Sequence, residues 1–338
     1  MNLLRNISLK TYNTFGIDVS TAFFAEIFSA EELTEALKWA HDGEIQVLIL
    51  GGGSNVLFTK DFNGLVIKNS IPGIKITGED EKHFYINAGS GVVWHEFVLF
   101  CLENNYAGVE NLALIPGCCG ASPMQNIGAY GVEIKEVFHE LNALNKFELS
   151  NQKFNSAACE FGYRESVFKN KYKDQFVITD VTYRLNKTPN FNIEYGAIRQ
   201  QLEQDHVKDL SIQAIADAVI KIRSSKLPDP KNIGNAGSFF KNPSVPKNIF
   251  DELKQKFPAI VAYPNTDGTM KIAAGWMIEQ CGFKGFRKGD AGVHNKQALV
   301  LVNHGNARGA EVLQLCHDIK NAVFKKFGVT IMPEVNII

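Results

Sequence analysis

Residues 47–55, Val47-Leu48-Ile49-Leu50-Gly51-Gly52-Gly53-Ser54-Asn55, decide between two fold classes. Four apolar residues followed by three glycines read as a short buried strand entering a turn, and a strand that feeds a glycine turn often meets a ligand. The dinucleotide-binding turn of a doubly wound α/β sheet begins the same way, but it needs the spacing G-x-G-x-x-G and a helix directly after it. Here Val56 stands at the third glycine position and no helical periodicity follows. The doubly wound reading falls, and a glycine loop of another fold class remains.

Working outward, residues 32–40 place Leu33, Ala36, Leu37 and Ala40 at helical spacing, so the first segment reads as a small α+β unit. From about 65 to 185 the apolar residues mostly alternate or come in short bursts between Gly, Asn and Pro, which predicts a mainly β domain. The stretch LSIQAIADAVIKIRSSKLPDP puts Ile215, Val219 and Ile222 on one helical face and ends in a proline-rich turn, which predicts a boundary near 227. A strand is expected at 298–302. A helix is expected from about 309 to 327, with Val312, Leu315, Ile319, Val323 and Phe327 on one face and Gly328 as its cap. The expected parts are 1–68, 69–226 and 227–338. No fixed-period repeat or low-complexity tract interrupts them.

Composition narrows the function. The 338 residues are 45% hydrophobic and 21% charged, with a mean hydropathy of -0.10, an ordinary globular balance. Lys plus Arg number 35 against 36 for Asp plus Glu, so no basic footprint points to nucleic acid or an anionic membrane. The N-terminal stretch lacks the apolar core of a signal peptide and no run is long enough for a membrane span, so a cytoplasmic protein without membrane or nucleic-acid partners is expected. The cysteines Cys101, Cys118, Cys119, Cys159, Cys281 and Cys316 form no C-x-x-C pair and no metal-finger spacing, which predicts buried thiols, no bound metal and no structural disulfide.

Familiar catalytic motifs are missing. There is no G-x-x-x-x-G-K-[ST] phosphate loop, His95-Glu96 lacks the second histidine of H-E-x-x-H, and neither Ser54 nor Ser238 sits in a G-x-S-x-G elbow. Residues 111–132, NLALIPGCCGASPMQNIGAYGV, stand out by carrying no charged side chain. Such a stretch suits close backbone approach to a large ligand, because glycines and small side chains leave main-chain N–H groups accessible; a buried, turn-rich core loop would have the same composition.

Short clusters spread along the chain form an ordered set: Asn13-Thr14-Phe15-Gly16, Leu50 to Asn55, Ile115-Pro116-Gly117, Phe161 to Ser166 (FGYRES), Lys226-Leu227-Pro228-Asp229-Pro230, Gly234 to Pro243 (GNAGSFFKNP) and Met332-Pro333-Glu334-Val335. The set resembles the UDP-N-acetylenolpyruvoylglucosamine reductase family nearly end to end. Ile193-Glu194-Tyr195-Gly196 resembles the class of that family with an extra tyrosine loop over the substrate site. The resemblance implies an α+β chain: an FAD-binding fold of the vanillyl-alcohol oxidase type in two subdomains, followed by an α+β substrate-binding domain. It also implies non-covalent FAD, NADPH as hydride donor, the enolpyruvyl ether of UDP-N-acetylglucosamine as substrate, and UDP-N-acetylmuramate as product. The chain is expected to act as a monomer.

Carried over residue by residue, the resemblance makes Arg164 the cation for the substrate carboxylate, Glu334 a neighbouring carboxyl whose pKa a like charge would raise, and Ser238 the proton donor. It assigns the cofactor to Gly51, Gly52, Gly53, Ser54, Asn55, Pro116, Gly117, Gly120, Ser122, Asn126, Gly128 and Gly131. It assigns the diphosphate to Lys226, Tyr195 and Asn242, and the uridine side to Tyr263, Lys284 and Gln297. Two alternatives stay open at this level: a flavin oxidase of the same superfamily, and a nucleotide-sugar-binding protein without catalysis.

Overall fold

The computed structural model describes residues 1–338, which separate into two compact units. Unit one comprises 1–7, 21–52 and 63–225, and unit two comprises 8–20, 53–62 and 226–338. The chain therefore passes between them inside the glycine loop, at Gly52–Gly53.

Unit one holds two sheets. In the first the spatial order is Leu3–Ser8, Ser20–Ile27, Phe62–Asn69, Val47–Leu50, the last two parallel with Val47 opposite Leu65. The helix Ala30–Asp42 starts at Ser29, whose hydroxyl accepts from Glu32 N–H, and buries Leu33, Ala36, Leu37 and Ala40 in a cluster with Ala25, Ile27, Leu65 and Ile67. Each fully buried leucine there contributes about 1.5–3 kcal/mol.

The second sheet is antiparallel, in the order Asn151–Asn155, Phe138–Asn145, Phe176–Asn186, His83–Gly89, Ile74–Glu79. The region expected to be mainly β also contains the helix Trp94–Glu103. Its buried residues Trp94, Phe97, Val98, Cys101 and Leu102 keep helical spacing, which the dense apolar run hides from an alternation count. Trp94, Phe97 and Tyr183 form an aromatic core, with ring centroids 4.6–5.6 Å apart.

Unit two has a sheet ordered Gly234–Asn235, Leu301–Asn303, Ala291–Val293, Arg287–Lys288, and a smaller one of Ser244–Val245, Met270–Ile272 and Ala262–Pro264. The strand expected at 298–302 is Leu301–Asn303, because Val300 N–H closes a turn onto Gln297 O at 3.1 Å. The helix Gly309–Phe327 has its apolar face buried and ends at Gly328 with φ 69°. The two early segments are gripped by this unit. Asn303 Nδ2 donates to Phe15 O at 2.9 Å, and a side chain on Gly309 would put its Cβ 1.6 Å from Phe58 O. All six cysteines are free thiols, Cys281 alone being other than buried. No helix is long and apolar enough to cross a membrane.

Candidate functional site

In unit one the uncharged 111–132 segment is fastened along its length. Trp94 N–H donates to Gly117 O at 2.9 Å, Cys119 N–H to Val92 O at 2.8 Å and Gly120 N–H to Ser90 O at 3.0 Å. The Trp94 indole N–H reaches Leu112 O at 2.9 Å. Gly120 is required, since an added Cβ would lie 2.5 Å from Ser90 Cβ. Gly52 meets Gly117 so closely that its Cβ would stand 3.2 Å from Gly117 Cα, whereas Gly51 has open space at the same place. Pro116 lies directly beside this approach.

Three non-glycine residues of the segment take left-handed backbone: Leu114 (φ 58°), Asn126 (φ 44°) and Tyr130 (φ 50°). Such conformations cost energy and gather where a site demands them. Asn126, fully buried, holds its own bend by accepting from Lys135 N–H at 3.1 Å and donating to Gly162 O at 2.9 Å. Ser122 turns inward, 1% exposed, with its hydroxyl 2.9 Å from that of Tyr183.

Arg164 joins this segment. It is itself left-handed (φ 56°), and its guanidinium donates to Gly128 O and, at 3.4 Å, to Asn126 O. A Cβ on Gly128 would come within 2.9 Å of the guanidinium, so glycine is what lets it lie there. A second arginine, which the sequence reading did not single out, stands nearby. Arg223 donates from Nε to Leu114 O at 3.2 Å, and burial followed by the Arg164 charge holds it below its ordinary range, with Tyr130 opposing. Burial and Arg223 likewise pull His95 down; its Nδ1 accepts from Leu114 N–H at 3.1 Å. The signal was present in the helix Ile212–Lys226, where Arg223 falls four residues after Val219 on the buried face.

Tyr195 is half exposed at the start of the helix Gly196–Gln204, and its ring meets Tyr130 edge-on at 5.3 Å. With Gly131, Asn190, Phe191, Asn192 and Glu194 it lines a concavity of about 540 Å³. Asn111 steadies the rim, its Nδ2 donating to Tyr130 O at 3.1 Å and Asn192 O at 2.8 Å.

Unit two gathers residues from three remote points. Glu334 N–H donates to Phe239 O at 2.8 Å and Lys241 N–H to Met332 O at 2.9 Å, an antiparallel bridge at Phe240 and Pro333 that sets Glu334 opposite Phe239, the residue next to Ser238. Phe239 and Phe240 are buried beneath, while Ser238 is exposed and Glu334 half-buried. Asn55 Nδ2 reaches Glu334 O at 3.4 Å, and Asn336 N–H donates to Asn55 O at 3.1 Å. Ahead of Asn55 and Ser54, Gly53 has φ 63°, and a side chain there would strike Tyr12 O at 2.0 Å.

The remaining expected residues of unit two are spread more widely. Asn242 Oδ1 accepts from Ala274 N–H at 2.9 Å, at the start of the helix Ala274–Gln280. Gln297 Oε1 lies 3.3 Å from the place of a Gly275 Cβ in the same helix. Tyr263 is exposed on Ala262–Pro264, Lys284 pairs with Glu279 at 2.9 Å, and Lys226 is exposed at its helix end.

Residues 21–146 match the FAD binding domain family, and residues 229–338 match the C-terminal domain of UDP-N-acetylenolpyruvoylglucosamine reductase. The curated reductases of that name from Flavobacterium johnsoniae and Amoebophilus asiaticus are each 48% identical, covering 100% of both chains. That from Pseudomonas savastanoi pv. phaseolicola is 46% identical over 98% of this chain and 97% of its own. Among solved structures, the Thermus caldophilus UDP-N-acetylenolpyruvylglucosamine reductase superposes with a TM-score of 0.67 at 21% identity, covering 99% of this chain and 98% of that one. The 6-hydroxy-D-nicotine oxidase of Arthrobacter nicotinovorans superposes with a TM-score of 0.50 at 13% identity, over 97% and 86%. These likenesses give the expected fold, an FAD-binding fold of the vanillyl-alcohol oxidase type with a C-terminal α+β domain. By full-length identity, the chain belongs to the UDP-N-acetylenolpyruvoylglucosamine reductase family.

Proposed function

We propose that this chain reduces the enolpyruvyl ether of UDP-N-acetylglucosamine to UDP-N-acetylmuramate for peptidoglycan precursor synthesis, with FAD as cofactor and NADPH as hydride donor. The observation that carries this reading is the end-to-end match to reductases of that name at 46–48% identity. In this reading residues 1–68 and 69–226 are the two FAD subdomains, 227–338 is the substrate domain, and the enzyme acts as a cytoplasmic monomer of the tyrosine-loop class.

The residues present suit the cofactor. Open space at Gly51 and the tight Gly52–Gly117 approach leave a surface of backbone without side chains, the kind a diphosphate and a flat ring require. By the family resemblance the residues that would hold FAD are Gly51, Gly52, Gly53, Ser54, Asn55, Pro116, Gly117, Gly120, Ser122, Asn126, Gly128 and Gly131. Bound FAD supplies hydride transfer, which side chains cannot.

The chain's own residues carry the rest. Arrival of hydride at the terminal carbon of the enolpyruvyl group builds negative charge on the adjacent carbon and its carboxylate. Arg164, already braced by two carbonyls, meets that carboxylate with a planar fork, and Arg223 strengthens the positive field. Glu334 holds the carboxylate as a protonated donor, and Ser238 gives its proton to the adjacent carbon. Tyr195, Lys226 and Asn242 bind the diphosphate, and Tyr263, Lys284 and Gln297 the uridine.

One absorbance experiment tests the reading. The purified protein should show a flavin band that NADPH bleaches and the enol ether restores, and acid precipitation should release the flavin. A protein without a flavin band, or one reoxidised by oxygen and indifferent to the enol ether, overturns it.

A further inference from the structure

The turn Cys119–Ala121 and the following Ser122 rest on one buried hydroxyl. Tyr183, in the middle of the strand Phe176–Asn186, is fully buried, with its OH 3.3 Å from Cys119 O and 2.9 Å from Ser122 Oγ. A carbonyl oxygen can only accept, so Tyr183 donates to Cys119 and Ser122 donates to Tyr183. Both hydroxyl protons are then spent inside the core. Burial pushes the Tyr183 phenol well above its ordinary range, so it stays a neutral donor.

The same strand holds the turn a second time. Ile178 O accepts from Asn69 Nδ2 at 3.1 Å, Asn69 Oδ1 accepts from Ser90 Oγ at 2.8 Å, and Ser90 O accepts from Gly120 N–H at 3.0 Å. Asn69, Ser90 and Ser122 are all at most 6% exposed. Two buried polar paths therefore run from one strand to one three-residue turn, and in such surroundings a hydrogen bond left half-made is costly.

We propose that Tyr183 and Ser122 are positioning residues for the cofactor: they pre-form the Cys119–Ser122 backbone that receives FAD, and the Ser122 hydroxyl itself does not touch the cofactor. This rests on the reading of the chain as an FAD reductase. It replaces a direct contact at Ser122 with an indirect one, and it brings in Tyr183, which no motif marks. Pre-formation matters because a loop that must order itself on binding loses that ordering cost from the affinity.

The test uses the full-length holoenzyme as wild type, Tyr183→Phe, Ser122→Ala and the double variant. Flavin release after dilution is followed by fluorescence, alongside the heat-unfolding midpoint. Each single variant should release flavin about tenfold faster, as for a lost buried hydrogen bond. The double variant should be no faster than Tyr183→Phe alone, because that change already removes the Ser122 bond together with the one to Cys119. Faster release from Ser122→Ala with wild-type release from Tyr183→Phe would mean direct contact and overturns the proposal. So does a lowered unfolding midpoint with unchanged release in both variants, which is a purely structural role. A wild type that carries no flavin removes the functional reading itself, whereas a flavin-bearing wild type with unaltered variants removes the positioning role alone.

Discussion

The 111–132 segment and the Ser238–Glu334 pair are built in opposite ways. The first is locked: its turns are tied by backbone bonds to 90–94, by Asn126 and by Tyr183, and its special conformations leave few alternatives at each position. The second is an exposed serine and a half-buried glutamate mounted on a short backbone ladder over Phe239 and Phe240. The difference teaches that the ladder over a packed core fixes where these side chains start, so their chemistry can be altered without disturbing the fold. Substitutions in the first region should register in binding and stability, and those in the second in rate.

The sharpest test of that contrast is Ser238→Ala. Flavin binding and reduction by NADPH should survive with an unchanged unfolding midpoint, while reoxidation by the enol ether slows by roughly 10²–10⁴-fold, measured by stopped flow. A near-normal rate would take Ser238 out of the chemistry. Arg164→Lys should blur the two regions, because Arg164 serves both. We expect a loss of about 10²-fold in kcat together with a small drop in the unfolding midpoint, since a lysine cannot hold Gly128 O, Asn126 O and a carboxylate at once.

A smaller effect is expected at Tyr195, half exposed beside Tyr130. Tyr195→Phe should raise KM for the nucleotide sugar by about fivefold, the scale of one hydrogen bond, and leave NADPH oxidation alone. Equal damage to both half-reactions would place it in the locked region instead.

The smallest effect concerns Glu110, 2% exposed just before the segment, with its carboxylate accepting from Gly108 N–H at 2.6 Å. Burial raises its pKa above the ordinary 4.5, so the folded state holds the proton more tightly than the unfolded one. The stability this contributes is complete below about 4.5 and is lost as pH rises through the folded value. Glu110→Gln should flatten that decline in unfolding midpoint against pH, and an unchanged slope would show that Glu110 does not contribute.

Local pattern carried much of the fold. Leu33 to Ala40 and Val312 to Phe327 declare their helices by spacing alone, and Val47 to Leu50 declares its strand. The ordered clusters also pointed to the family. What stayed hidden depends on contacts distant in sequence. Arg223 shows by its spacing from Val219 that it lies on the buried helix face, but what its charge meets there depends on a carbonyl partner 109 residues away. Tyr183 reads as a strand aromatic, and only its bond to Ser122, 61 residues earlier, gives its hydroxyl a purpose. Residues 8–20 and 53–62 gave no sign that they belong with the last third of the chain, because their partners, among them Gly309 and Asn303, carry no local signature of that pairing.

That last membership constrains the order of assembly. The Phe15 carbonyl awaits an amide 288 residues further along, which at about 5–20 residues per second is roughly 15–60 s of synthesis. Until then two short N-terminal stretches have no core to join, and closing so long a loop is a slow step. A fragment beginning at 229 would face the converse difficulty. It would have to fold without the pieces that Gly309, Asn303 and Asn336 are shaped to receive. Supplying residues 8–20 and 53–62 ahead of it on a short flexible linker is therefore the way to obtain that unit alone.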